Sequence, residues 1–310
     1  MELYLNNEQS LSDVLKDARD GDIIHLASRV YYEKIKITIP NLTIIGHNSS
    51  IEYKDYYNKI GKDNKELLTV RTYTIMAEAS NITLKDLTIK NLSVPNRTYG
   101  QAVALHVIGD NFKAINCNIL GAQDTILAGP IPYDLTIRYK NLLSSDELTQ
   151  NKSHQLYDHC YIEGDVDFIF GCGICFFNEC EIHSIGKGYI CAPSHPKDYN
   201  YGFVFYKCNL TGSDEITNQV YLGRPWRDYG QAAFISCKAS SHIKPEGYHY
   251  WQESRKNTCK LSIYKTLNEK ELASFTKVLN ENDLDKYALD NVMKGAVKKV
   301  RDKKKEEAQK

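Results

Sequence analysis

Four short stretches of this 310-residue chain set acids, amides and a guanidinium among apolar residues. GDVDFIFG (164–171) carries Asp167 inside a run of valine, isoleucine and phenylalanine, and GAQDTIL (121–127) carries Gln123 and Asp124. GQAVAL (100–105) carries Gln101, and YLGRPW (221–226) carries Arg224 and Trp226. A carboxylate taken out of water without a partner costs several kcal/mol or picks up a proton. Two carboxylates held close cannot both ionise easily, so one pKa rises, and a guanidinium beside the other keeps it charged and aimed. Such a set supplies a charged group for attack and a protonated group for delivery. Each stretch alone is weak evidence. A Gln or Asp near a turn usually serves the backbone, and a lone Trp is core by default. The acids and Arg224 also suit a buried ion pair that only fixes the fold. The pattern leaves Asp165, two residues before Asp167, as a competing acid.

Residues so far apart meet only if the chain stacks them. NITLKDLTI (81–89), NFKAINCNI (111–119), GFVFYKCNL (202–210) and AAFISCKAS (232–240) share alternating apolar positions with a small or thiol residue near the same place. With the cysteine as marker, the slot falls at 117, 160, 180, 208 and 237, and Leu87 holds it earlier. Short β-rich segments recurring every 20 to 30 residues predict a solenoid of stacked strands, with cysteine as an inward packing residue. The step of 43 residues from Cys117 to Cys160 is too long for one rung, so 127–155 is expected to leave the solenoid, bounded by Gly129, Pro130 and Pro132. Residues 8–19 have helical spacing suited to capping the first rung, and 266–300 also read as helical. This divides the chain into a β domain at 1–265 and a helical segment with a charged tail at 266–310.

The bulk numbers bound the function. Thirty-nine basic and 39 acidic side chains leave no net charge to attract nucleic acid or an anionic membrane, and no apolar stretch is long enough to span a bilayer. Nine cysteines argue for free thiols in a reducing compartment. Cys172 and Cys175 form a C-x-x-C without the second ligand pair a zinc site wants, so buried structural thiols are expected. The start of the chain has no secretory pattern, which predicts a cytoplasmic protein; the alternative is a secreted one whose leader has been removed. On that expectation the seven Asn-x-Ser/Thr matches, NIT at 81 among them, carry no glycosylation.

Taken together, QAVAL, QDT, GDVDFIFG and LGRPW, in that order, resemble the pectin methylesterase family. The likeness extends through GDIIHLASRVYYEKIKITIPNLTIIGH and IKPEGYHYW, covering roughly residues 8–255. It implies an all-β, right-handed parallel β-helix that hydrolyses methyl esters of galacturonate units in pectin, with no metal and no organic cofactor. By the resemblance Asp167 is the nucleophile and Asp124 the general acid and then base. Gln101 and Gln123 match oxyanion and positioning residues, Arg224 the partner of the nucleophile, and Trp226 and Phe170 the walls of a sugar subsite. Asp124 and Asp167 stand 43 positions apart, about twice the plant spacing, because of the 127–155 excursion, which resembles that of some bacterial members. Tyr248 stands where plant members often have Trp, and Cys172 where a small polar residue is common.

The expected partner is pectin or a methylated oligogalacturonide, bound by a monomer. Two other readings compete: a different pectin-active β-helix enzyme, either a polygalacturonase with paired carboxylates or a pectate lyase with calcium ligands, and a non-catalytic carbohydrate-binding solenoid.

Overall fold

In the computed structural model, which describes residues 1–296, the recurring motif becomes three stacked ladders of parallel strands. The first ladder includes Phe112–Ile115, His154–Asp158, Ile174–Asn178, Phe203–Tyr206, Gln231–Ile235 and Lys260–Tyr264. The second takes Asn118–Leu120, the first halves of Tyr161–Gly171 and Glu181–Pro193, and Asn209–Gly212. The third takes Ile75–Ala77, Leu105–Val107, Ile126–Ala128, the second halves of those two long strands, and Val220–Gly223. The chain visits the three in turn and then steps up one rung: a parallel β-helix.

Each inward position repeats from rung to rung, so like side chains stack. Tyr157, Phe177, Phe205 and Phe234 lie in register on the first ladder with rings nearly parallel and centroids 4.6, 4.5 and 4.2 Å apart. The marker cysteines line one corner, all buried. The thiols of Cys160, Cys180, Cys208 and Cys237 each donate to a carbonyl one rung below (Ala114, Tyr157, Phe177 and Phe205) at 3.3–3.4 Å. Cysteine suits that slot as a small hydrophobe whose weak donor finds the carbonyl beneath. The residue before each marker bends the chain from the first ladder into the second in left-handed conformation: Asp86, Asn116, His159, Glu179, Lys207 and Ser236 have φ of 49–53°. For such residues this costs of order 1 kcal/mol each, offset by the packing it permits. Asn41, Asn81 and Asn111 occupy a second corner in the same conformation, and the amide of each of the last two donates to the preceding asparagine. Asn81 of the NIT triplet is thus part of a hydrogen-bonded column.

The helix Leu11–Asp17, capped by Ser10, covers the first rungs and buries Leu11 and Leu15 in the main core. The excursion leaves after Ile126–Ala128 and returns at Ser153, with the helix Tyr133–Tyr139 inside it. The C-terminal expectation of helix over 266–300 needs correction. That stretch forms a 3-10 turn at Glu269–Glu271, a strand at Lys277–Val278 on the first ladder, and short helical turns between Glu281 and Val292. Leu267, Leu272 and Phe275 pack on the main core, whereas Leu279 and Val292 join a second apolar cluster. Anchors on two separate surfaces override the helical spacing. The end of that stretch, 297–300, and the charged run 298–310 lie outside the described residues.

Phe205, stacked on both faces and fully buried, tests the column. Phe205→Ala is expected to cost about 3–5 kcal/mol of unfolding free energy, and Phe205→Leu less than half of that. Denaturant titration checks this; a loss below about 1 kcal/mol for the alanine variant would mean that the ring stack does not hold the rungs together.

Candidate active site

The third ladder explains how an aspartate stands in an apolar run. Val166 pairs with Tyr189 and Ile169 with Cys191, so two residues, Asp167 and Phe168, oppose one. This bulge breaks the inside–outside alternation. Phe168 turns into the core with no exposed surface, and Asp167, at φ 51°, turns outward beside Phe170. A bulge re-aims a side chain at little cost to the flanking ladder.

Backbone hydrogen bonds fix the neighbouring rungs. Asp124 N–H donates to Val166 O at 3.1 Å, Ala102 N–H to Gln123 O at 3.1 Å, and Arg224 N–H to Cys191 O at 2.9 Å. The Thr125 hydroxyl donates to Glu163 O at 2.9 Å, which ties the QDT turn to the strand carrying Asp167. Asp124 also adopts the left-handed conformation, φ 67°, which aspartate tolerates better than most residues. The result is one cleft of about 380 Å³ lined by Gln101, Gln123, Asp124, Asp167, Phe170, Arg224 and Trp226. All seven residues singled out in the sequence meet there. Asp165 is not among the lining residues; its carboxylate accepts from Val166 N–H at 2.6 Å, and its Cβ faces Gly186.

Arg224 holds Asp167 through both arms of its fork: Nε donates to Oδ1 at 2.9 Å and Nη2 to Oδ2 at 2.6 Å. The guanidinium itself lies between two rings, 3.9 Å from the centroid of Tyr189 and 3.8 Å from that of Trp251. Asp124 and Asp167 are only 8% and 7% exposed, so burial raises both above the ordinary carboxylate range. The two then part company. For Asp167 the bond to Arg224 opposes the rise, whereas for Asp124 the charge of Asp167 adds to it and the carboxyl goes well above its usual value. Burial thus drives Asp124 the further above its ordinary value, while the guanidinium holds Asp167 back towards the charged form.

Several lining residues carried no signal in the sequence. Ile131, Leu135, Arg138 and Tyr139 come from the excursion, which forms one wall, and Tyr57, Thr69 and Val70 come from the loop on the other side. The excursion is tied down by Arg227, whose fork binds Asp134 at 2.7 and 3.1 Å while its cation lies 4.5 Å over Trp226. Trp226 meets Phe170 edge-on at 5.7 Å, making an aromatic corner. Tyr189 gave no hint of its place, and Trp251 stood in a stretch quoted only for its likeness. Tyr248 is a core residue whose hydroxyl donates to Ser262 O at 3.0 Å.

No group of three or more His, Cys, Asp or Glu is disposed to hold a metal ion among the described residues. The Cys172 thiol donates to Pro130 O at 3.0 Å, and burial pushes its pKa up to about 12, the reverse of a reactive thiolate.

Because the folded chain raises the pKa of Asp124, the native state binds the proton more tightly than the unfolded one, and stability falls as pH climbs above the ordinary value of 3.8. Asp124→Asn removes that loss. Thermal melts of both proteins from pH 4 to pH 8 should show the variant gaining on the parent as pH rises; a constant difference would contradict the protonated state of Asp124.

Comparison with known proteins gives the chain a family. A profile described as Pectinesterase matches residues 4–130 and 134–274. Pectinesterase QRT1 of Arabidopsis thaliana is 30% identical over 257 residues, covering 79% of this chain and 61% of that protein. Probable pectinesterase A of Neosartorya fischeri is 30% identical over 253 residues, covering 76% and 68%. The chain spans 56–61% of the length of three of the curated relatives it matches. Among solved structures, pectin methylesterase PemA from Erwinia chrysanthemi superposes with a TM-score of 0.78 at 21% identity over 97% of this chain and 98% of that one. The carrot pectin methylesterase gives 0.77 at 20% identity over 95% and 92%. These structures share the parallel β-helix. The chain belongs to the pectinesterase family.

Proposed function

We propose that this chain hydrolyses methyl esters of galacturonate units in pectin or in methylated oligogalacturonides, releasing methanol. The observation that carries the reading is the pairing, in one cleft, of an arginine-held carboxylate with a second buried acid whose pKa burial and the first acid's charge push up. An ester needs a nucleophile, a proton for the departing methoxide and donors for the oxyanion. Asp167 supplies the first. Its oxygens keep free lone pairs beyond the two bonds from Arg224, so one attacks the ester carbonyl. The side-chain amides of Gln123 and Gln101 stabilise the charge that develops on the carbonyl oxygen.

As the C–O bond to methoxide breaks, Asp124 gives up its proton and methanol leaves. The sugar acyl group stays on Asp167 as an anhydride. Asp124, now a carboxylate, takes a proton from water, and the hydroxide attacks the acyl carbon. Asp167 departs as a carboxylate and Asp124 is protonated again, so the cycle closes without an external cofactor. Phe170 and Trp226 give a sugar ring an apolar corner, and the pectin methylesterase solved in complex with a hexasaccharide has a TM-score of 0.77 to this chain at 20% identity.

Incubation with methylated pectin tests the proposal. Methanol and acid without new chain ends are expected; new reducing ends would mean a hydrolase of the chain, and an unsaturated, UV-absorbing product a lyase. Asp167→Asn is expected to lower methanol release by about 10⁴-fold or more while sugar binding persists. An unchanged rate would point to a non-catalytic cleft. The rate should fall towards acid as Asp167 is protonated and towards alkali as Asp124 loses its proton; a flat profile from pH 4 to pH 9 would exclude the paired roles.

A further inference from the structure

Arg255, on the 3-10 turn Glu253–Asn257, is only 9% exposed, yet it is not among the residues lining the cleft and takes no part in the steps above. A buried cation is costly unless its donors are used. Its ion pair does not account for the burial: Nε stands 3.5 Å from Oδ1 of the exposed Asp228, and a pair of that kind contributes little. The other two contacts lead towards Arg224. Nη1 donates to Pro225 O at 2.8 Å, a buried bond to the residue that joins Arg224 to Trp226. The guanidinium also lies 5.7 Å from the ring centroid of Trp251, and Arg224 lies 3.8 Å from that same ring. One side chain thus holds both the backbone that follows Arg224 and the ring that clamps it. Both supports are needed. Arg224 N–H and Trp226 N–H are anchored to Cys191 O and Pro193 O, but Pro225 between them has no N–H, so its carbonyl is where it can be tied. Trp251 adopts φ 59°, a conformation that a bulky residue keeps only where its surroundings impose it.

We infer that Arg255 is a positioning residue: through Pro225 O and the Trp251 ring it keeps the fork of Arg224 aimed at Asp167. The inference rests on the esterase reading above and deepens it. A two-armed bond from a long side chain needs the plane of the guanidinium fixed. Tyr189 and Trp251 fix that plane, and Arg255 fixes Trp251 together with the backbone from which Arg224 reaches out. Without Arg255 the fork loosens, its opposition to burial weakens, and Asp167 takes up a proton at higher pH. Asp124 and the Cys191 thiol also sense the charge of Asp167, and a change at position 255 alters neither.

The test is the pH dependence of methanol release by Arg255→Met and Arg255→Lys beside the parent, with thermal melts to establish that each is folded. For Arg255→Met the acid limb of kcat/KM is expected to move up by about 0.5–1 pH unit, a loss of about three- to tenfold on that limb. Arg255→Lys offers the carbonyl a donor but lays no planar fork on Trp251, so it should move the limb about half as far. If Arg255→Met does not fold, the lysine variant decides alone. An unchanged acid limb in a folded variant, with only the melting temperature lowered, would overturn the inference. So would a raised KM with the limb fixed, which would mean that Arg255 supports only the corner made by Trp226. Carbon-13 NMR titration of the Asp167 carboxyl, assigned by its absence from Asp167→Asn, reads the same shift without turnover, and equal titration in parent and variant refutes the role. If the parent releases no methanol but Asp167 still titrates higher in Arg255→Met, the esterase reading fails and the positioning role stands.

Discussion

Two hydrogen bonds from Arg224, at 2.9 and 2.6 Å, work against what burial does to Asp167. Without them a carboxylate that is 7% exposed would be held neutral, and the contrast with Asp124 would vanish. Much of the surrounding structure serves this pair. Tyr189 and Trp251 clamp the guanidinium from both faces, which leaves it only the in-plane direction for its donors. The bulge at Asp167 and Phe168 points the acid at the fork, and the left-handed turn at Asp124 brings the second acid up from the rung below. Removing Arg224 would leave Asp167 a buried acid with no cation beside it, which takes up a proton and so loses its difference from Asp124.

The scaffold supplies stiffness where the pair needs it. Nonlocal parallel pairings run the length of the chain, and ring stacking on the first ladder resists shear between rungs. The site lies on the third ladder, where successive strands place their ends at one height. Residues 101, 123–124, 167 and 224 therefore converge although 123 positions separate the first from the last. Breadth comes from the excursion and from the loop bearing Tyr57 and Thr69, which wall in a cleft that the bare ladder would leave open.

The solenoid was legible because its repeat is written in side chains: alternating apolar residues and cysteine recurring in one slot. The site was legible because its motifs are contiguous, and the resemblance of four stretches chose Asp167 over Asp165 where pattern could not. Three things were hidden. The left-handed corners use Asp, Asn, His, Glu, Lys and Ser in place of glycine, so no residue type announces them. The rings around Arg224 come from rungs whose register is a tertiary fact. The C-terminal stretch kept helical spacing in its letters, but its apolar residues answer to two different clusters, and packing overrode periodicity.

The two ends of the stack also differ from its middle. A sheet's last strand presents unpaired N–H and C=O groups, a template on which another molecule can add. At the far end that strand is Lys277–Val278, two residues long with a lysine and an exposed valine, followed by tight turns that fold back over the apolar surface. At the near end the helix Leu11–Asp17 lies across the opening and buries Leu11 and Leu15. Among the described residues, the first ladder therefore ends on a short, charged edge and the near opening lies under a helix, both of which discourage edge-to-edge association.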